Sequence, residues 1–213
     1  MNMSKQQYFY FISGLPDISI TDVSLPFKAK DFLVELKNKI EEKDFTLVSW
    51  LYYPRDNRNL LNILFSKNNM LQPEGCYSLQ ELKKGIEGNV KLHDYMNAFI
   101  SSYKENKSLY TEAEWENKLT GFYFRESVKT ENNFLNEWME FELNLKNILL
   151  LLSNRKQALP FSEFILEANE TSELLMQNPL ADFSSETSLD FYNQAIKIME
   201  TENLVEREKK LIC

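Results

Sequence analysis

Between Asn132 and Gln157 the chain sets Phe134, Trp138, Phe141, Leu145, Ile148, Leu149 and Leu152 at steps of three and four residues. An α-helix turns once every 3.6 residues, so this spacing gathers all seven side chains on one side of one helix. The stripe predicts a long helix whose apolar side is a core face. A helix that long needs cover along much of its length, and the rest of the chain has to provide it.

The cover is expected to be helical as well. Only 5 Gly and 6 Pro occur in 213 residues, too few for the repeated tight reversals of a β-sandwich or barrel. Phe32, Leu33, Leu36 and Ile40 have helical spacing, closed by the charged turn "EEKDF". Phe45, Val48, Leu51 and Tyr52 predict a second helix interrupted at Pro54, which suits the first turn of a helix restarting in "PRDNRNLLNILF". "NNMLQPEGCYS" reads as a loop. Ser78 with Glu81 three residues on has capping-box spacing, and Thr111 with Glu112 and Glu114 marks another helix start. Leu92, Tyr95, Met96, Phe99 and Ile100 share one helical face, and "SLDFYNQAIKIMETENLVEREKKLI" predicts one long charged helix at the end.

The run "YFYFI" at 8–12 is too short for its periodicity to separate a buried strand from a helix. The expected fold class is therefore all-α (mainly α), an elongated helical bundle with at most a short N-terminal strand. No low-complexity linker divides it. The expected organisation is an N-terminal helical unit over 1–75 and a second unit, with the long C-terminal helix, over 76–213, packed as one body.

Charge and motif content narrow the function. A formal net charge of −8 and a pI near 4.9 disfavour nucleic acid and direct docking on an anionic membrane, both of which need a basic surface. The apolar part of "MNMSKQQYFYFISGLPD" is too brief for a signal peptide, and "NILLLLS" is too short to span a bilayer. A cytoplasmic location is expected, with membrane contact only through partners. Cys76 and Cys213 have no metal or redox spacing and read as incidental thiols. His93 is the only histidine, and no nucleophile elbow accompanies it, so it reads as a surface or core residue. Glu137, Glu140 and Glu142 invite a carboxylate metal site, yet the Glu-x-x-His pairs of a di-iron bundle are missing. They read as a solvated face or one side of an interface. No P-loop pattern is present. Trp115, Phe122 and Tyr123 have core spacing, whereas Phe9 and Phe11 are candidates for an exposed docking strip. No catalytic residue, metal ligand or cofactor is expected, and the protein reads as a non-enzyme; an unrelated helical enzyme is the remaining alternative.

One phrase is written twice. "NLLNIL" covers 59–64 and "NLKNIL" covers 144–149, an offset of 144 − 59 = 85. Each copy carries asparagines three apart, Asn59 with Asn62 and Asn144 with Asn147, near one helix face. Asparagine is a mediocre helix former because its amide competes for backbone hydrogen bonds. Each pair is therefore expected to bond a loop or a neighbouring helix and fix packing register. If one duplicated unit explains both, Asn59 superposes on Asn144 and Asn62 on Asn147. Six positions in a chain rich in Leu and Asn can also coincide by chance.

The copies have aromatic and acidic lead-ins, "WLYYPRDN" and "WMEFEL", and polar exits, "SKNN" and "SNRK". An aromatic-acidic lead into Asn-Leu-x-Asn-Ile-Leu resembles the helical element repeated in the C-type cap subunit of archaeal-type and vacuolar-type (V/A-type) rotary ATPases, the d-type cap in eukaryotes. The start "YFYFISGLPDISITDVSLPF" resembles a family of uncharacterised bacterial proteins encoded among vacuolar-type ATPase genes. The chain is shorter than a typical C-type cap subunit and shows two copies where that family has three. The resemblance implies a non-catalytic part in ion transport, with central-stalk and rotor-ring subunits as partners and a coupling place between them. An assembly or regulatory adaptor of the same machine is the alternative it leaves.

Overall fold

In a computed structural model of the protein, every regular element among the described residues is helical. Those residues are 5–19, 24, 26–73, 75–157, 164–184, 189 and 191–212. The all-α class is thus the observed one. The "YFYFI" run lies in helix α1, Lys5–Ser13, and no strand forms among the described residues. Phe9, Tyr10 and Ile12 are exposed, so the burial that a strand would have required is absent. Tyr8 instead anchors α1: its hydroxyl donates to the Asp44 carboxylate and accepts the Glu41 N–H.

Helix α2, Ala29–Lys39, buries Leu33 and Leu36. Helix α3 runs unbroken from Glu42 to Leu64, through Pro54. The interruption expected there does not occur, and magnitudes explain why. A proline inside a helix costs about 3 kcal/mol, while α3 buries Trp50, Tyr53, Leu60 and Leu61, each large apolar side chain contributing roughly 1.5–3 kcal/mol. A 3-10 turn at Asn68–Met70 follows, then α4, Leu79–Glu87, which opens on the Ser78/Glu81 capping box and ends at Gly88 with φ 87°. That left-handed backbone is the conformation glycine adopts without strain.

The remaining helices are α5 Asp94–Asn106, α6 Glu112–Ser127, α7 Asn133–Gln157, α8 Glu170–Gln177, α9 Tyr192–Met199 and α10 Leu204–Ile212. Helix α6 opens on the Thr111/Glu114 capping box. The single long closing helix expected from the sequence is two helices. Asn203 separates them: its side chain accepts the N–H groups of Val205 and Glu206 and so caps α10, while Arg207 donates to the Thr201 carbonyl across the break.

Helix α7 has the expected span, and the C-terminal part of the expected stripe, Ile148 with Leu149 and Leu152, lies in or against the core, but the N-terminal part does not. Its buried residues are Leu135, Met139, Leu143, Asn144, Asn147, Ile148, Leu151 and Asn154, whereas Phe134, Trp138 and Phe141 are 75%, 42% and 40% exposed. The N-terminal half of α7 is apolar on two sides. The aliphatic side is the one turned inward, where Tyr123 of α6 donates its hydroxyl to Met139 Sδ at 3.3 Å.

The chain forms two compact units, Met1–Asn97 and Ala98–Cys213. The division falls inside α5 rather than at the expected 75/76, because residues after 75 are tied to α3. The N–H groups of Cys76 and Tyr77 donate to Asp56, and the Tyr95 hydroxyl donates to Asn57 at 2.8 Å. In the first unit α3 packs on α2 and α4; in the second, α7 packs on α6, α8 and α9. The second unit's core joins Ile148 and Leu151 of α7 to Ile165, Leu175, Phe183, Leu189, Tyr192 and Ala195. Arg155 ties this layer, donating to the carbonyls of Pro179 and Ala181 and to the Tyr192 hydroxyl at 2.6, 2.7 and 2.8 Å. Among the described residues, no helix is long and apolar enough to cross a membrane.

Candidate functional site

The loop after α3 contains Pro73 and Gly75 and lies alongside α3 without pairing to another strand. Several of its backbone groups bond α3 side chains. Asn59, fully buried, accepts the Gln72 N–H at 2.7 Å and donates to the Gln72 carbonyl at 3.2 Å. One amide thereby satisfies both backbone groups of one residue, a closed two-bond clamp. Three residues later Asn62 donates to the Met70 carbonyl at 2.9 Å. Three residues before Asn59, Asp56, also fully buried, accepts the N–H groups of Cys76 at 2.8 Å and Tyr77 at 3.2 Å. A Cβ on Gly75 would lie 2.7 Å from both Asp56 carboxylate oxygens, so the close approach of loop and helix requires glycine there.

Burial pushes the Asp56 carboxyl up to about 6, although the N–H groups of residues 75–77 pull it down and the charge of Glu81 adds to the rise. Burial also pushes the Cys76 thiol up to about 11, and its sulfur lies 3.8 Å from the Ser49 carbonyl oxygen. A thiol held protonated in this way is a poor nucleophile. His93 is half-buried, its ring 4.8 Å from that of Trp50, 5.2 Å from Tyr53 and 5.1 Å from Tyr95.

The second unit repeats the clamp. Asn147 accepts the Leu166 N–H at 2.9 Å and donates to the Leu166 carbonyl at 3.0 Å. Asn144 accepts from the Asn169 amide at 2.9 Å, and Asn169 caps α8 by accepting the Ser172 N–H. In both units a long helix is followed by a loop hung from its buried amide and then by a short helix with a side-chain cap.

The clamps correct the register of the repeat. They are made by Asn59 and Asn147, an offset of 147 − 59 = 88 rather than 85. At 88, "WLYYPRDNRNLL" lies over "WMEFELNLKNIL", so Trp50 matches Trp138, Tyr53 matches Phe141, Asp56 matches Asn144 and Leu60 matches Ile148. At the clamp burial follows this register: Leu60 and Ile148 are both 0% exposed, and Asn59 and Asn147 are 0% and 1%. The 85-residue register would set the half-buried Asn62 on the buried Asn147. The signal is present in the sequence. Identical letters recur at 85, but the tryptophan, the aromatic and the acid or amide, each three residues apart, recur at 88.

The other candidates are scattered. Glu137 and Glu140 are exposed, while burial raises the pKa of Glu142. Among the described residues no group of three or more His, Cys, Asp or Glu could hold a metal ion. Phe9 is exposed, and Phe11 is half-buried with the Lys39 ammonium 5.3 Å above its ring. Trp115 and Tyr123 are buried and Phe122 half-buried. Cys213 lies outside the described residues.

A family model described as a protein of unknown function, DUF2764, matches residues 3–213. The chain belongs to this family. The match runs through both units and includes the residues of both clamps. No curated protein and no solved structure matches the chain.

The clamps rank the four asparagines. Asn147→Leu leaves the N–H and C=O of the buried Leu166 unpaired, each costing about 1–3 kcal/mol, so it should lower unfolding stability by roughly 2–4 kcal/mol in urea titrations. Asn59→Leu frees the same groups of Gln72, an exposed residue that water can reach, and should cost less, about 2 kcal/mol. Asn62→Leu and Asn144→Leu, losing one bond each, should cost less than about 1.5 kcal/mol. Equal losses at Asn59 and Asn144, with Asn147→Leu harmless, would restore the 85-residue register. Asp56 gives a pH signature. Its folded value of about 6 lies above the ordinary value of 3.8, so the folded form binds more protons between those values and stability falls as pH rises through that window. Relative to Asp56→Asn, the native chain should lose on the order of 3 kcal/mol from about pH 4 to about pH 7. Stability curves that stay parallel across that range would contradict it.

Proposed function

We propose that this protein is a non-catalytic component of a V/A-type rotary ATPase, similar to the C-type cap subunit and coupling the central stalk to the membrane rotor ring. The observation that carries the reading is the element Trp-x-x-aromatic-x-x-Asp/Asn-x-x-Asn, built twice at an offset of 88 residues. Each copy lies on a long helix that suspends a loop. It supports the reading by giving this chain a repeated helical unit, which the resemblance to the cap subunit implies; the resemblance itself is carried by the aromatic-acidic lead-ins and the N-terminal stretch.

The chemistry at the clamps suits a mechanical part. Asn59 and Asn147 are neutral, buried and bonded on both amide atoms, which holds a loop in place and offers no reactive group. A coupling part has to transmit torque through elements that do not shear. Long helices with loops fixed to them at several points meet that need. The partners are the stalk and ring subunits, the membrane is reached through them, the location is cytoplasmic, and no cofactor takes part. The ring, not this chain, would carry the proton or sodium ion.

The test is affinity purification of the tagged, full-length chain expressed at native level in its own cells, followed by stoichiometry of the detergent-solubilised rotary ATPase. A fixed ratio to stalk and ring subunits in the complete, active complex is expected. Recovery with incomplete assemblies alone would make it an adaptor instead, and recovery with no ATPase subunit would end the reading.

A further inference from the structure

The two copies of the repeat bury their aromatic positions differently. In the first unit Trp50 and Tyr53 are 7% and 6% exposed, covered by the rings of His93 and Tyr95. In the second unit the matching Trp138 and Phe141 are 42% and 40% exposed. Phe191 reaches Phe141, with ring centroids 4.9 Å apart, and Trp138 lies against Phe141 at 6.1 Å.

One turn before Trp138 comes Phe134, 75% exposed. Its match at the 88-residue offset is Thr46, also exposed. The fold therefore leaves this position in solvent in both units and accepts a polar residue there. A phenylalanine at such a place contributes nothing to the unit's own core. Phe134, Trp138 and Phe141 form a stripe at i, i+4 and i+7, about 10 Å long at roughly 1.5 Å per residue.

Charge identifies what fits the stripe. From Asn133 to Phe141, α7 carries the exposed Glu137 and Glu140 and no Lys or Arg; Glu142 is half-buried, with the charge of Lys146 acting on it. Residues 1–97 hold 12 Lys and Arg against 12 Asp and Glu, while residues 98–213 hold 12 against 20, so 12 − 20 = −8 places the whole net charge in the second unit. We infer that the Phe134–Trp138–Phe141 face of α7 is a docking surface for a cationic amphipathic helix of another protein. Its apolar side would cover the three rings, with Lys or Arg along its edges facing the glutamates. A helix of about three turns spans the stripe. A second copy of this chain is the poorer fit, since it would set Glu137 and Glu140 of each copy against the same acids. This surface stands independently of the rotary-ATPase reading.

The test uses the full chain and two synthetic helical peptides of about four turns with the same leucine face, one flanked by lysines and one by glutamates. Trp50 and Trp115 are 7% and 1% exposed, so an emission shift on titration reports Trp138. The lysine peptide should give a saturable blue shift, weakened at least about tenfold in Phe134→Ser/Phe141→Ser, and the glutamate peptide should give none. Glu137→Lys/Glu140→Lys, which keeps the rings, should reverse the preference. Circular dichroism matching the native chain verifies that each variant is folded. Four results would overturn the inference: equal lysine-peptide affinity in the serine variant, equal binding of both peptides, a dimer in sedimentation that the serine variant loses, or the same shift on phosphatidylcholine vesicles.

Discussion

A buried asparagine amide that accepts one backbone N–H and returns a bond to the same residue's carbonyl is the interaction on which each unit depends. Among the described residues the loops around Gln72 and Leu166 have no strand to pair with; Leu166 and the Asn59 amide are buried, and polar groups buried without partners are costly. Asn59 and Asn147 remove that cost in one step, from helices already fixed by apolar burial. Once the loop is tied, the short helix behind it starts from a defined place: Ser78 caps α4 and Asn169 caps α8. In the second unit the link is direct, because Asn169 also donates to Asn144 of α7.

The units share this plan and differ in what they attach to it. At the position one turn before the clamp the first unit has Asp56, whose charge gathers three backbone N–H groups but is itself burdened by burial. The second has Asn144, neutral and bonded to a side chain. An acid draws the loop tightly enough that only glycine fits at position 75; an amide makes no such demand. The aromatic positions diverge as well, closed beneath His93 and Tyr95 in one unit and open to solvent in the other. A duplicated frame with unlike surfaces lets one unit serve packing while the other recruits.

Much of the frame is legible in the residues. The capping box at Ser78, the helix start at Thr111 and the span of α7 follow from local spacing. Pro54 misleads because its local cost is outweighed by the apolar contacts of Trp50, Tyr53, Leu60 and Leu61, which no local pattern displays. The closing segment reads as one helix because Asn203, a middling helix residue in sequence, becomes a cap only once its side chain turns to Val205 and Glu206. Phe134, Trp138 and Phe141 have the periodicity of a core, and periodicity cannot tell a face covered by the same chain from one left open. The asparagines are the right residues in the wrong pairing. The letters align them at 85, while the bonds they make align them at 88.

Amide exchange at two positions tests the clamp most directly. Gln72 and Leu166 lie outside every helix, so their N–H protection has to come from Asn59 and Asn147. Native-state hydrogen exchange followed by NMR should find both amides at least about a hundredfold slower than an unprotected loop amide. Asn59→Ala should release Gln72 and leave Leu166 protected. Free exchange at either amide in the native chain, while the interior amides of α3 and α7 stay protected, would contradict the account.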